Sequence, residues 1–182
     1  SQCLRVMGTV EAESGNIIEA KHLFKRSLAI SKEISDWQNI CACYTSLGNI
    51  YQQTSKYQKA LNMYQEALPI LRQIGMKSIE AICLINLGNV TLFYGEKQQA
   101  LEYYREAQQI CHSLNDISNE SKALFAMSSL LQSLTSYDEA IETLEKAGKL
   151  SKSISDQRGL AYVDMNLGNL HKLKGEFSDA LT

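Results

Sequence analysis

Apolar and small side chains recur along this chain at helical spacing, in stretches of about 14 to 18 residues separated by short polar turns. Between positions 57 and 74 they fall at Ala60, Leu61, Tyr64, Ala67, Leu68, Ile70, Leu71 and Ile74, the wide stripe of a helix with one buried face. The pattern then repeats. Leu47-Gly48-Asn49, Leu87-Gly88-Asn89 and Leu167-Gly168-Asn169 are separated by 40 and then 80 residues, so the period is 40. Met7-Gly8-Thr9 and the degenerate Met127-Ser128-Ser129 complete the series, and Ala20, Ala60, Ala100, Ala140 and Ala180 keep the same register. Positions are numbered below as phases within units that begin at Ser1, Cys41, Ala81, Ser121 and Ala161.

The register predicts two helices per unit. A first helix, A, carries a glycine at phase 8 (Gly8, Gly48, Gly88, Gly168). Glycine inside a helix costs about 1 kcal/mol relative to alanine, and close approach of a neighbouring helix is the compensation expected. Gly15, Gly95 and Gly175 mark its end as left-handed C-terminal caps. The second helix, B, runs over about phases 17 to 34. Asp36, Asp116 and Asp156 follow it at the place of an N-cap for the next A helix. Pro69 lies within a B pattern and predicts a kink or an early end to regular hydrogen bonding there. Such pairs cannot bury their faces alone, so the units are expected to stack. They divide as 1–40, 41–80, 81–120, 121–160 and a partial 161–182, one array that reads as part of a longer chain.

Composition sharpens this reading. With 45% apolar residues, 18 Lys+Arg against 20 Asp+Glu, ten glycines and one proline in 182 residues, the chain has the makeup of a folded helical protein rather than a disordered one. Near-neutral charge without a basic run gives no footprint for phosphate backbones, and nucleic acid is not an expected partner. No stretch has the roughly 20 apolar residues of a membrane span, and the first residues lack the regions of a signal peptide. Five cysteines without C-x-x-C or nearby histidine spacing read as reduced packing residues in a cytoplasmic protein. His22, His112 and His171 occupy three unrelated phases, and no nucleotide-binding or nucleophile-elbow motif is present. No catalytic activity, cofactor or metal is expected.

Phases 7, 8, 11, 20, 24 and 27 of the second unit read Leu47, Gly48, Tyr51, Ala60, Tyr64 and Ala67, which resembles the tetratricopeptide repeat pattern across the whole chain. The units exceed the standard 34-residue repeat by six residues, and their LGN signature resembles the Pins/LGN type of cell-polarity adaptor. The resemblance implies an all-α, right-handed superhelical solenoid whose A helices line a concave groove. It places Thr45, Asn49, Gln52, Ile82, Ile85, Asn86, Asn89, Phe93, Phe125, Ser129, Met165, Asn166 and Asn169 in that groove. An asparagine amide both donates and accepts, and so suits a peptide backbone of any sequence. Ile82, Ile85, Leu92, Phe93 and Phe125 make the most apolar stretch. The basic clamp of chaperone-binding relatives is absent as a set, since Arg5 alone is basic at phase 5 and Thr9 follows it. The expectation is a non-enzymatic adaptor holding an extended or partly helical partner segment that is not strongly acidic. The alternatives are a docking or sensory arm of a larger enzyme or signalling protein, and self-association through the array ends.

Overall fold

The computed structural model describes residues 1–175; Ala180 and the rest of 176–182 lie outside the described residues. Nine helices are present among them: α1 (Gln2–Glu13), α2 (Ile17–Glu33), α3 (Trp37–Gln53), α4 (Tyr57–Gln73), α5 (Lys77–Phe93), α6 (Lys97–Ser113), α7 (Ile117–Ser133), α8 (Tyr137–Ser153) and α9 (Gln157–Lys174). Odd-numbered helices are the A helices and even-numbered ones the B helices. The fold is an all-α helical-repeat solenoid. The chain forms two compact units, Ser1–Glu96 and the unit beginning at Lys97. In the first, α3 packs on α1, α2, α4 and α5; in the second, α7 packs on α6 and α8, and α8 on α9.

The turns share one backbone device. At the end of α1, Asn16 N–H donates to Glu11 O at 2.8 Å and Gly15 N–H to Ala12 O at 3.1 Å, so the last carbonyls of the helix are satisfied by a residue in the left-handed region. The same pair recurs at the end of α3, where Lys56 N–H reaches Tyr51 O at 2.7 Å, and at the end of α7, where Ser136 N–H reaches Leu131 O at 3.0 Å. The left-handed position is Gly15, Ser55, Gly95, Thr135 and Gly175 after the A helices, and Ser35, Gly75, Asn115 and Ser155 after the B helices. The glycines announced three of these turns in the sequence; the fold imposes the same φ on serine and threonine as well. Asp36 and Asp116 then cap α3 and α7, accepting from Asn39 N–H and Asn119 N–H at 3.1 Å. Asp156 makes no such bond.

Packing explains the small residues. Ala20, Ala60, Ala100 and Ala140 are wholly buried. A Cβ added to Gly48 would lie 2.5 Å from the Tyr64 ring, and one added to Gly8 would lie 3.0 Å from Phe24. Phase 8 is therefore small in the first two repeats because the phase 24 ring of the paired B helix lies against it. In the fourth repeat a serine, Ser128, stands at phase 8 where phase 24 is the smaller Leu144. Cys43, Cys83, Ala123 and Val163 share phase 3 and are buried, as small packing residues should be. Cys3, at the same phase of the first repeat, is exposed.

Pro69 does not shorten its helix. It sits inside α4, which runs 17 residues like α2, α3, α5, α6, α7 and α8. Proline removes one donor, which would have bonded the carbonyl of Gln65 four residues earlier. Both residues are exposed, so water can satisfy that carbonyl while tertiary packing holds the helix.

Candidate peptide-binding face

In the first unit the A-helix face is organised around a tyrosine that the sequence reading assigned to the core alone. The Tyr64 ring is buried, and its hydroxyl donates toward Asn49 Oδ1 at 2.7 Å and lies 3.0 Å from Gln52 Oε1. Asn86 Nδ2 donates to the same Asn49 Oδ1 at 3.2 Å. Asn49, Gln52 and Asn86 are thus brought together, and two donors on one amide oxygen orient the Asn49 side chain. Its carbonyl is committed to the fold, whereas its two N–H donors have no partner among the described residues. Burial pushes the Tyr64 hydroxyl well above the ordinary tyrosine range, so it stays a protonated donor.

Beside this cluster, α1 and α3 enclose a cavity of about 260 Å³ with Phe24 and Ile50 among its lining residues, along with Thr9, Ser46, Asn49 and Gln53. Thr9 and Thr45 donate their hydroxyls back to carbonyls of their own helices. Arg5 donates from Nε to Asn39 Oδ1 at 2.8 Å and is held at the α1–α3 junction. Asn89 is exposed and Ile82 is 37% exposed, whereas Ile85 is buried. Phe93 is 60% exposed and stacks on Tyr57 with ring centroids 3.8 Å apart; Tyr94 meets it edge-on at 5.6 Å. Tyr57, at the start of a B helix, completes an aromatic rim that A-helix phases alone could not reveal.

The second unit repeats the theme with other residues. Phe125 meets the Tyr162 ring edge-on at 4.8 Å, and Ser129 Oγ lies 3.1 Å from the Tyr162 hydroxyl. Asn166 donates to Tyr162 O within its own helix. Met165 and Asn169 are exposed. Phe125, Ser129 and Asn166 therefore all bond or pack against Tyr162, and Met165 and Asn169 do not join them through any recorded contact. Among the described residues no group of three or more His, Cys, Asp or Glu could hold a metal ion, and no helix is long and apolar enough to cross a membrane.

Comparison with known proteins agrees with this anatomy. One tetratricopeptide repeat model matches residues 3–73 and another matches 121–153. The chain carries tetratricopeptide repeats. A model of anaphase-promoting complex subunit 5 matches residues 43–119, overlapping the repeats. No curated protein sequence matches. Among solved structures, BtubC (BKLC) from P. vanneervenii superposes with a TM-score of 0.87 at 21% identity, covering 97% of this chain and 74% of that one. The apo form of RapI gives 0.85 at 16% identity, covering 98% of this chain and 50% of that one. A signal transduction ATPase with a tetratricopeptide repeat sensor from Pyrococcus horikoshii gives 0.79 at 19% identity, with 98% and 30% covered. At these identities the likeness is one of fold, and the repeats here span half or less of the last two proteins.

Proposed function

We propose that the repeats form a protein-interaction module whose first unit binds an extended peptide segment along α1, α3 and α5. The observation that carries this reading is the amide cluster of Asn49, Gln52 and Asn86 around the Tyr64 hydroxyl, next to a cavity lined by Phe24 and Ile50. Fixed amides offer donors and acceptors to a peptide backbone without selecting its sequence, and the cavity offers burial for one apolar group. Each net hydrogen bond adds about 0.5–1.5 kcal/mol and one buried apolar side chain about 1.5–3 kcal/mol. A few such bonds with one buried group supply roughly 3–7 kcal/mol, short of the roughly 8 kcal/mol of micromolar affinity, and further contacts must add to them. Phe93, Tyr57 and Tyr94 supply aromatic area at the rim. Repeat modules of this kind act by holding partners, and we read this one as a non-enzymatic binder in the cytoplasm. An array with the LGN signature would serve as an adaptor in the manner of the Pins/LGN type.

The test is selection from a displayed random-peptide library against the whole chain, followed by affinity measurement on the Asn86→Ala/Asn89→Ala double variant. Tyr64 keeps Asn49 and Gln52 in that variant, so helicity by circular dichroism should be unchanged while the selected peptides bind about tenfold or more weakly. Unchanged affinity in the folded double variant would remove this face as the binding site.

A further inference from the structure

The sixth, seventh and eighth helices, all within the second unit, enclose a separate cavity of about 380 Å³ that Glu120, His112, Leu124, Lys149 and Leu150 help to line. Glu120 is 94% buried in its side chain. Its Oε1 accepts from Gln108 Nε2 at 2.6 Å and meets His112 Nδ1 at 3.0 Å. Its Oε2 has no recorded partner, yet it is not one of the described polar atoms sealed from solvent. Oε2 is thus open to the cavity and free to accept from a donor placed there.

The preceding repeat shows what pairs with it. Glu80 stands at the same phase and is equally buried, but there both oxygens are taken: Oε1 by Arg72 Nε at 3.3 Å and Oε2 by Lys77 Nζ at 2.8 Å. Position 112 takes the place of Arg72, and Ile117 takes the place of Lys77. The ammonium that completes the Glu80 site is thus missing at Glu120, and the nearest basic residue on α7, Lys122, is bonded to Asn119 Oδ1. Of the two lysines at the cavity, Lys146 pairs with Glu142 at 2.8 Å, while Lys149 has no partner among the described residues. A carboxylate with one oxygen unused, one unpaired lysine and two leucines therefore line a single cavity.

We propose that this cavity binds a small zwitterion, an α-amino acid with an apolar side chain. Its ammonium takes the Glu120 Oε2 position that Lys77 fills in the repeat before, its carboxylate meets Lys149, and its side chain lies over Leu124 and Leu150. A bare cation is disfavoured by the lysines, and a bare anion by Glu120. This site is independent of the peptide face of the first unit.

The test titrates leucine, methionine and phenylalanine into the isotopically labelled chain and follows the backbone amides of α6 to α8. At least one should shift amides around Glu120, Leu124 and Leu150 at up to millimolar concentration, and its N-acetyl and amide derivatives should bind about tenfold more weakly. Glu120→Gln should weaken binding by a similar factor. Ile117→Lys should abolish it by supplying the missing ammonium in cis, while leaving Glu120 in place and the fold intact by circular dichroism. The proposal is overturned if none of the three amino acids shifts these amides, if a derivative lacking either charge binds equally well, or if folded Ile117→Lys still binds.

Discussion

At the scale of single residues, the turns carry the least relaxed chemistry in the molecule. Thr135 is held at φ 61°, where a β-branched side chain meets its own carbonyl and pays roughly 1–2 kcal/mol. Three other A-helix turns place glycine at this phase. Thr135→Gly is therefore expected to stabilise the chain, by about 0.5–1 kcal/mol after the greater unfolded-state entropy of glycine is subtracted. The measure is a rise in the urea midpoint at unchanged slope; a fall would mean that the Thr135 hydroxyl bond to Leu134 O outweighs the backbone cost. Residues of this kind mark where reading a sequence stops. Gly15, Gly95 and Gly175 declare a left-handed cap by their identity, whereas Ser55 and Thr135 acquire it from the register of their neighbours. The same limit applies at the binding face. Asn49 and Asn86 were legible as A-helix amides, but Tyr64 and Tyr57, which organise or extend them, project from phases that one-dimensional patterning assigns to packing or to another helix.

At the scale of helices, the register was almost entirely legible because identical environments recur. Helix A begins at Trp37, Lys77, Ile117 and Gln157, so one set of apolar phases is tested several times over, and chance matches cancel. Pro69 does not end α4 early, because packing flanks it: Leu68 and Leu71 are buried on either side of an exposed proline. Phase 40 shows the opposite case, where chemistry changes and architecture does not. It is Ile40 and Leu160 in two places and Glu80 and Glu120 in two others. Glu80 bridges α4 and α5 through Arg72, yet both its cationic partners are about half exposed, so much of their attraction is screened while the carboxylate bears the cost of burial. Glu80→Ile, which restores the residue found at Ile40, is expected to leave the denaturation midpoint unchanged or raise it by about 1–2 kcal/mol equivalent. A loss greater than about 1 kcal/mol would show that the ion cluster is a net stabiliser.

At the scale of the whole molecule, the thiols give the fold a dependence on alkaline pH that surface charges do not. Cys41, Cys43, Cys83 and Cys111 are buried, and desolvation disfavours their thiolates. Burial lifts Cys41 and Cys111 to about 11 and Cys83 to about 12, and it raises Tyr104 to about 12. In the unfolded chain the same thiols ionise near 9.0. Below that value both states are protonated and the thiols add no pH dependence. Above it the unfolded chain loses protons that the folded chain keeps, so stability falls by about 1.4 kcal/mol per pH unit for each such thiol until the folded value is reached. The loss should therefore begin near pH 9 and continue to about 11–12. Cys83→Ala places at phase 3 the residue already buried as Ala123, and it removes the most strongly raised of these thiols. Urea titrations at pH 8 and pH 10.5 should show a smaller drop in stability for this variant than for the unaltered chain. Equal drops would mean that Cys83 ionises as readily in the folded state as in the unfolded one. The remaining thiols would then carry the alkaline dependence, and a thiol reagent at pH 8 would be expected to modify Cys83 as quickly as the exposed Cys3 rather than only upon opening of the helices that bury it.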